Sequence, residues 1–228
     1  MSNVASISDP FRTGMAYTVS EASRIVGTSA QNVRRWLRGY EAPGHRMEPV
    51  FGVKNAGADE PLQVSFLQLV EIAVVVAFRS HGVSLKRLRD AHAYARTAFD
   101  FDYPFASMDL GESGGHVLHQ FEEERPDGKG KLVELDGSGQ FVLPEMVKVR
   151  ILEFDFVDRL AVRWFPFGRT VPVVIDPHLA AGNPTVHGTR VTVETLRKRW
   201  KAGEPMASIA DDLELEVGDV ESILQRAA

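Results

Sequence analysis

Apolar positions along this chain recur at helical spacing in its first third. Ala22, Ile25 and Val26 stand at i, i+3 and i+4 behind Thr18-Val19-Ser20-Glu21, where Thr18 or Ser20 can cap a helix. Gly27 ends that helix, because a residue without a side chain enters the left-handed conformation at least cost. Thr28 or Ser29 then caps a second helix that reaches Leu37 and is closed by Gly39. Two short helices joined by a tight glycine-containing turn predict a helix-turn-helix. At about 100° per residue, the second helix sorts into two faces. Val33, Trp36, Leu37 and Tyr40 fall on one side, Gln31, Arg34, Arg35 and Arg38 on the other, and Asn32 at the flank.

The pattern then breaks at Pro43-Gly44, Pro49, Gly52, Asn55-Ala56-Gly57 and Pro61, and Glu48–Val53 with Leu62–Val64 reads as a short hairpin, or wing. Ser65 caps a long helix through Ser80. One stripe of it holds Phe66, Leu69, Val70, Ala73, Val76 and Ala77, and a second holds Leu67, Val74 and Phe78. A helix apolar on two faces is expected to be buried on both, so its second stripe should meet another domain or subunit. Ser84 caps the next helix, with Leu85, Leu88, His92 and Ala95 inward.

From 99 to 170 the chain reads as a small β layer. His116–Phe121, Lys131–Leu135 and Gln140–Leu143 are expected strands, with turns at Pro126-Asp127-Gly128 and Asp136-Gly137. Pro144 starts a helix to about Leu152, and Phe154–Val157 with Leu160–Trp164 form a hairpin around Asp158-Arg159. Val171–Ile175 is strand-like. Three short helices follow: Thr192 caps the first, to Ala202; Pro205 starts the second; the third runs from about Val217. Leu196 and Trp200, at i and i+4, read as core.

Charge changes this picture more than composition does. The chain has 228 residues, no cysteine and a formal net charge of −5, which speaks against a general nucleic-acid binder. The charge is unevenly placed. Tyr17–Arg46 carries five arginines against two glutamates, Asp100–Leu160 carries fourteen acids against six bases, and Thr189–Gly203 carries five bases against Glu194 alone. Two basic islands flank an acidic centre. Outward arginines and amides are what a recognition helix requires, since Arg pairs bidentately with guanine and Gln or Asn with adenine. A solvated basic face on an ordinary amphipathic helix would look the same.

No catalytic constellation stands out. His116 and His119 at i and i+3 on a strand would point to opposite faces, whereas a metal site needs convergent ligands. Glu122-Glu123-Glu124 reads as a solvated turn. Gly111, Gly114 and Gly115 lack the Gly-Lys-Ser/Thr of a phosphate loop. No Gly-x-Ser-x-Gly or His-Glu-x-x-His occurs, and paired acids such as Asp100/Asp102 or Asp211/Asp212 are generic. We expect no enzyme, no metal and no cofactor. With no basic-then-apolar leader and no apolar run near the ~20 residues of a membrane span, a cytoplasmic protein is expected.

The string YTVSEASRIVGTSAQNVRRWLRGY, followed by a wing and SFLQLVEIAVVVAFRSHGVSLKRLRDA, resembles the MerR family of winged helix-turn-helix regulators over about residues 16–97. The resemblance puts the family's DNA-touching motif on Asn32, Val33, Arg34, Arg35 and Trp36, with Arg34 as the DNA-contacting arginine and Arg46 as the arginine before the wing. Arg35 departs from the pattern, standing where an aromatic is usual, and no long coiled-coil helix follows residue 97, so the family's dimerisation device is missing or replaced. At the other end, Gly182, Pro184, Gly188, Thr189 and Arg190 resemble the small prokaryotic family known as domain of unknown function 433. That family is associated with antitoxins of PIN-fold ribonuclease toxins, and the combined arrangement resembles a noncanonical VapB-type antitoxin.

The expected fold is α+β: an arm (1–15), a winged helix-turn-helix (16–98), a connecting β-rich region (99–170) and a three-helix module (171–228). The expected DNA-binding set is Thr18, Ser29, Gln31, Asn32, Arg34, Arg35, Arg38, Arg46 and Lys54. Arg190, Arg197, Lys198, Arg199 and Lys201 are expected to contact toxin or DNA, or to be merely solvated. The resemblance implies an antitoxin that neutralises a PIN-type toxin and binds its own operator as a homodimer. A ligand-responsive MerR-like regulator without a toxin partner, and an adaptor that binds no DNA, stay open.

Overall fold

The structure is a computed structural model that describes residues 9–51, 61–126, 129–135, 138 and 140–227. Lys54, the end of the expected Glu48–Val53 strand, and the Asp127-Gly128 and Asp136-Gly137 turns lie outside the described residues. The chain divides into two compact units. One runs to Leu152 and includes Phe156–Ala161; the other holds Glu153–Asp155 and the chain from Val162 onward.

The first unit opens inside the stretch expected as a loose arm. Asp9 caps α1 (Pro10–Thr13), its carboxylate accepting from the Phe11 amide and pairing with Arg12 at 2.9 Å. β1 (Met15–Thr18) leads into α2 (Val19–Val26) and α3 (Ala30–Arg38). β2 (Tyr40–Ala42) pairs antiparallel with β3 (His45–Met47), and β4 (Gln63–Ser65) pairs back on β1. The wing therefore sits earlier than expected. Pro43-Gly44 makes the two-residue hairpin turn, with Gly44 at φ 82°, because proline pre-sets the first turn position and glycine takes the left-handed second one. Residues 63–64, expected in the wing, belong to the β1 sheet.

α4 (Phe66–Ser80) begins with a capping box between Ser65 and Gln68, and α5 (Leu85–Phe99) begins at the Ser84 cap. α4 is buried from Phe66 to Val75 without interruption. Its second stripe is covered from within the same unit and not by another domain. A 3-10 turn (Pro104–Ala106) and α8 (Glu145–Leu152) pack on α4, together with α1, α2 and α5.

α6 (Asp109–Glu112) and α7 (Gly114–Glu124) lie between that turn and α8 in the chain. The expected strand at 116–121 is helix. Leu118 and Phe121, at i and i+3, face inward on α7, which packs against α5. The acidic triplet is the end of that helix and not a turn, and its Glu122 carboxylate receives Arg87 at 2.9 Å and the Leu132 amide at 2.6 Å. A side chain at Gly115 would collide with the Phe141 carbonyl, so glycine permits α7 to approach the next hairpin. That hairpin, β5 (Glu134–Leu135) with β6 (Phe141–Val142), is the short remnant of the expected central strands.

β7 (Phe154–Val157) and β8 (Leu160–Trp164) form the hairpin expected around Asp158-Arg159, both at positive φ (49° and 70°). In the second unit β9 (Val173–Val174) pairs with β10 (Thr185–Val186). α9 (Val193–Lys201), α10 (Met206–Asp212) and α11 (Val217–Ala227) then close on a core of Val173, Leu196, Ile209, Val220 and Ile223.

Candidate nucleic-acid interface

The helix pair is built by short-range hydrogen bonds. The Thr18 hydroxyl oxygen accepts from the Glu21 amide (3.2 Å), and the Glu21 carboxylate accepts from the Thr18 amide and hydroxyl (both 2.8 Å). The Thr18 amide and then its hydroxyl, donating to the carboxylate, hold the Glu21 pKa below its ordinary value against the opposing effect of burial, with nearby Arg24 helping. Gly27 ends α2 at φ 70°, and the Ser29 hydroxyl oxygen accepts from the Asn32 amide (3.1 Å) to start α3. Thr18 and Ser29, expected among the DNA contacts, are thus the caps of the two helices.

Burial separates the faces of α3. Val33, Trp36 and Leu37 are buried, whereas Gln31, Arg34 and Arg35 are exposed and Arg38 is half-buried. Asn32 is half-buried, and its carboxamide nitrogen donates to the Thr28 hydroxyl at 3.1 Å, within the turn. The Arg35 guanidinium lies 4.8 Å from the centre of the Tyr40 ring. This cation–π contact limits the rotamers of the arginine at the position where the resembled family carries an aromatic. Sequence reasoning missed it, although Tyr40 just after Gly39 was the available signal.

Gly39 links recognition helix to hairpin. Its φ of 73° suits glycine, and a side chain there would collide with the Met47 carbonyl oxygen. On the hairpin, Arg46 faces Glu41 in register, 3.6 Å apart, with both side chains exposed. The arginines of α3 and the Arg46 hairpin strand are therefore held by one continuous piece of backbone. What this can do chemically is present several planar cations and an amide to a polyanion with patterned acceptors, as base edges are.

The second basic island is less uniform than its sequence. Arg199 ties α9 to α10 and to the loop between them, pairing with Glu204 and, at 2.6 Å, with Asp212. These two hydrogen-bonded carboxylates push its pKa further up. Arg197 and Lys198 lie 3.7 and 3.9 Å from Glu194, while Arg190 and Lys201 are exposed. Trp200, expected in the core, is 41% exposed, whereas Leu196 is 0% exposed. The three-helix core closes around Leu196, one turn earlier.

His116 and His119 lie on α7 and not on a strand, and His119 stacks on Phe141. Among the described residues no group of three or more His, Asp or Glu is placed to hold a metal ion. No described helix is long and apolar enough to cross a membrane.

Residues 15–92 match the model of a family described as "Putative DNA-binding HTH domain", and residues 173–225 match one described as "Protein of unknown function (DUF433)". The chain is 29% identical over 209 residues to "Putative antitoxin VapB45" of Mycobacterium tuberculosis, covering 86% of this chain and 87% of that protein. It is 24% identical over 220 residues to "Uncharacterized protein Rv2308" of the same organism, covering 91% and 88%. The crystal structure of Rv2018 from M. tuberculosis superposes with a TM-score of 0.78 at 26% identity, over 93% of this chain and 99% of that one. The chain thus joins an N-terminal helix-turn-helix of a DNA-binding type to a C-terminal DUF433 module, and is homologous over most of its length to a protein named as a VapB antitoxin.

Proposed function

We propose that this chain is the DNA-binding antitoxin of a type II toxin–antitoxin pair, a non-catalytic cytoplasmic protein that neutralises a PIN-fold ribonuclease toxin and represses its own operon. The observation that carries the DNA half is the open Gln31/Arg34/Arg35 side of α3, set on a helix whose other side is buried in its own domain. In a MerR-like mode, Arg34 and Arg38 reach guanine edges, Gln31 reaches adenine, and Arg46 and Lys54 follow phosphates. A homodimer places two such helices about 34 Å apart, one helical turn, on a palindromic operator.

The antitoxin half is supported by the likeness to VapB45 along nearly the whole chain. Within the second unit, Arg190, Arg197, Lys198 and Lys201, with the exposed Trp200, form the toxin-facing set. Arg199 is engaged by the module's own carboxylates. The charge of α10 and α11 speaks against a second DNA contact here. Asp211, Asp212, Glu214, Glu216 and Glu221 stand on or beside these helices, all of them exposed, and phosphates would be repelled.

Electrophoretic shift of the DNA upstream of its own gene tests the DNA half. Wild type is expected to shift it, and Arg34→Ala/Arg38→Ala to abolish the shift with an unchanged circular dichroism spectrum; an unchanged shift by the double variant would overturn the recognition-helix assignment. Co-expression with the PIN-type product of a neighbouring reading frame tests the other half, with rescue of growth as the expected result. A second reading, a ligand-responsive regulator without a toxin, is favoured by a groove of about 370 Å³ on α5 lined by Asp90, Tyr94, Thr97 and Arg125. It predicts that a small molecule alters operator affinity in the absence of any toxin.

A further inference from the structure

α3 is nine residues long, and its last carbonyls need partners from outside the helix. The strap of residues 48–51, just past the β2–β3 hairpin, supplies partners for one of these, the Trp36 carbonyl. The Val50 amide donates to the Trp36 carbonyl at 2.8 Å, and the Phe51 amide to the same oxygen at 3.5 Å. This strap is gripped in turn from α5, where Arg89 Nε donates to the Glu48 carbonyl (2.8 Å) and the Pro49 carbonyl (3.1 Å).

One turn further along α5, His92 Nε2 lies 2.8 Å from Glu71 Oε1, and its ring sits 5.6 Å from Phe51 and 5.0 Å from Phe105. The Phe105 amide donates to the same Glu71 oxygen at 3.3 Å. Val50, Phe51, Glu71, His92 and Phe105 are all buried. A continuous chain of contacts therefore runs from the 3-10 turn, through α4 and α5, to the C-terminal end of the recognition helix.

We infer that Arg89 is a positioning residue for DNA recognition: by holding the strap at 48–49 it fixes the pose of α3 while touching no DNA itself. This rests on the proposed DNA-binding role of α3. Two features support the assignment. The guanidinium is turned into the molecule, its Nη2 buried and without a hydrogen-bond partner among the described residues, which is the wrong disposition for a phosphate contact. Bidentate base contacts also tolerate only a few tenths of an ångström, so a small tilt of α3 weakens base reading while phosphate attraction, which depends on charge, persists.

The test uses the full-length protein and fluorescence anisotropy over a series of salt concentrations. Two duplexes of equal length serve as probes: one enriched from a random pool by the wild-type protein, and one unrelated. Arg89→Met is expected to lower affinity for the enriched duplex about 10- to 100-fold, the equivalent of one or two base contacts. Affinity for the unrelated duplex should stay within about twofold, and the slope of log K against log salt should not change. Arg34→Ala, which removes a proposed base contact, should also lower affinity for the enriched duplex. Arg46→Ala, which removes a proposed phosphate contact, should lower affinity for both duplexes and reduce that slope by up to about 0.9.

Arg89→Lys keeps the charge and one donor, and should recover part of the selectivity. If Arg89→Met fails to fold, Arg89→Lys decides, since an unchanged ratio of the two affinities would overturn the inference. Equal losses on both duplexes with a reduced slope would make Arg89 a phosphate contact and overturn it too. Wild-type protein that enriches no duplex would instead remove the DNA-binding reading, and this inference with it.

Discussion

At the residue scale, arginines of the two basic islands differ by what the fold places beside them. Arg34 is exposed on α3, whereas Arg199 is held by Glu204 and Asp212. Arg199→Ala is expected to lower the melting temperature of the C-terminal unit, by an amount that shrinks as salt is added; a melt unchanged at low salt would contradict the clamp. Thr18 offers a sharper test. Thr18→Ala removes the α2 cap and should cost about 1 kcal/mol at neutral pH. Because the Thr18 amide is joined by the Thr18 hydroxyl, which alanine lacks, in holding the Glu21 pKa down, part of the wild type's advantage exists only where the carboxylate is ionised, above the unfolded value near 4.5. It is lost as pH falls through the lowered folded value. Urea denaturation at pH 7 and pH 3 should show the gap between the two proteins narrowing in acid; a gap that stayed constant would argue against a hydroxyl-to-carboxylate bond in the capping box.

At the element scale, α4 is the element on which the first unit is assembled. Its two apolar stripes are legible in the sequence, and so is the conclusion that both are covered. What covers the second is not legible, since the 3-10 turn at 104–106 and α8 at 145–152 lie about 30 to 80 residues downstream. Leu67 is fully buried on that stripe, and Leu67→Ala should cost about 2–5 kcal/mol. Because the covering elements belong to the same chain, that loss should not vary with protein concentration in denaturant titrations. A concentration-dependent midpoint would mean that a subunit interface is being measured. Gly39 is the other sensitive joint, where alanine meets both an unfavourable φ and the Met47 carbonyl. Gly39→Ala should loosen the β2–β3 hairpin and weaken operator binding together, and full retention of binding would show that α3 and the hairpin act independently.

At the scale of the whole molecule, the two units carry helical modules of different electrostatic character. The first presents outward arginines; the second presents α9 with its cations and Trp200, followed by acidic α10 and α11. The functional consequence is separability. Arg197→Glu/Lys201→Glu should abolish capture of the toxin in pull-down while operator affinity stays within about twofold, and Arg34→Ala/Arg38→Ala should do the reverse. Loss of both activities in either variant would count against a division of labour between the units.

While the fold chose Thr18 and Ser29 among the candidate caps, the local features were determined by the sequence alone: the α2–α3 pair with its Gly27 and Gly39 ends, the Ser65 and Ser84 helix starts, the turn at Asp158-Arg159, and the two-sided character of α3 and α4. Each rests on residues within about four positions of one another, where spacing and backbone preference act without outside help. Tertiary structure decided the rest. It made 114–124 a helix by packing Leu118 and Phe121 against α5, sent β4 to β1 instead of to the wing, covered the second face of α4, engaged Arg199 and left Trp200 exposed. Short apolar runs satisfy a strand and a helix about equally well, and charged side chains accept several partners. In those places the choice is made by neighbours that only the folded chain brings together.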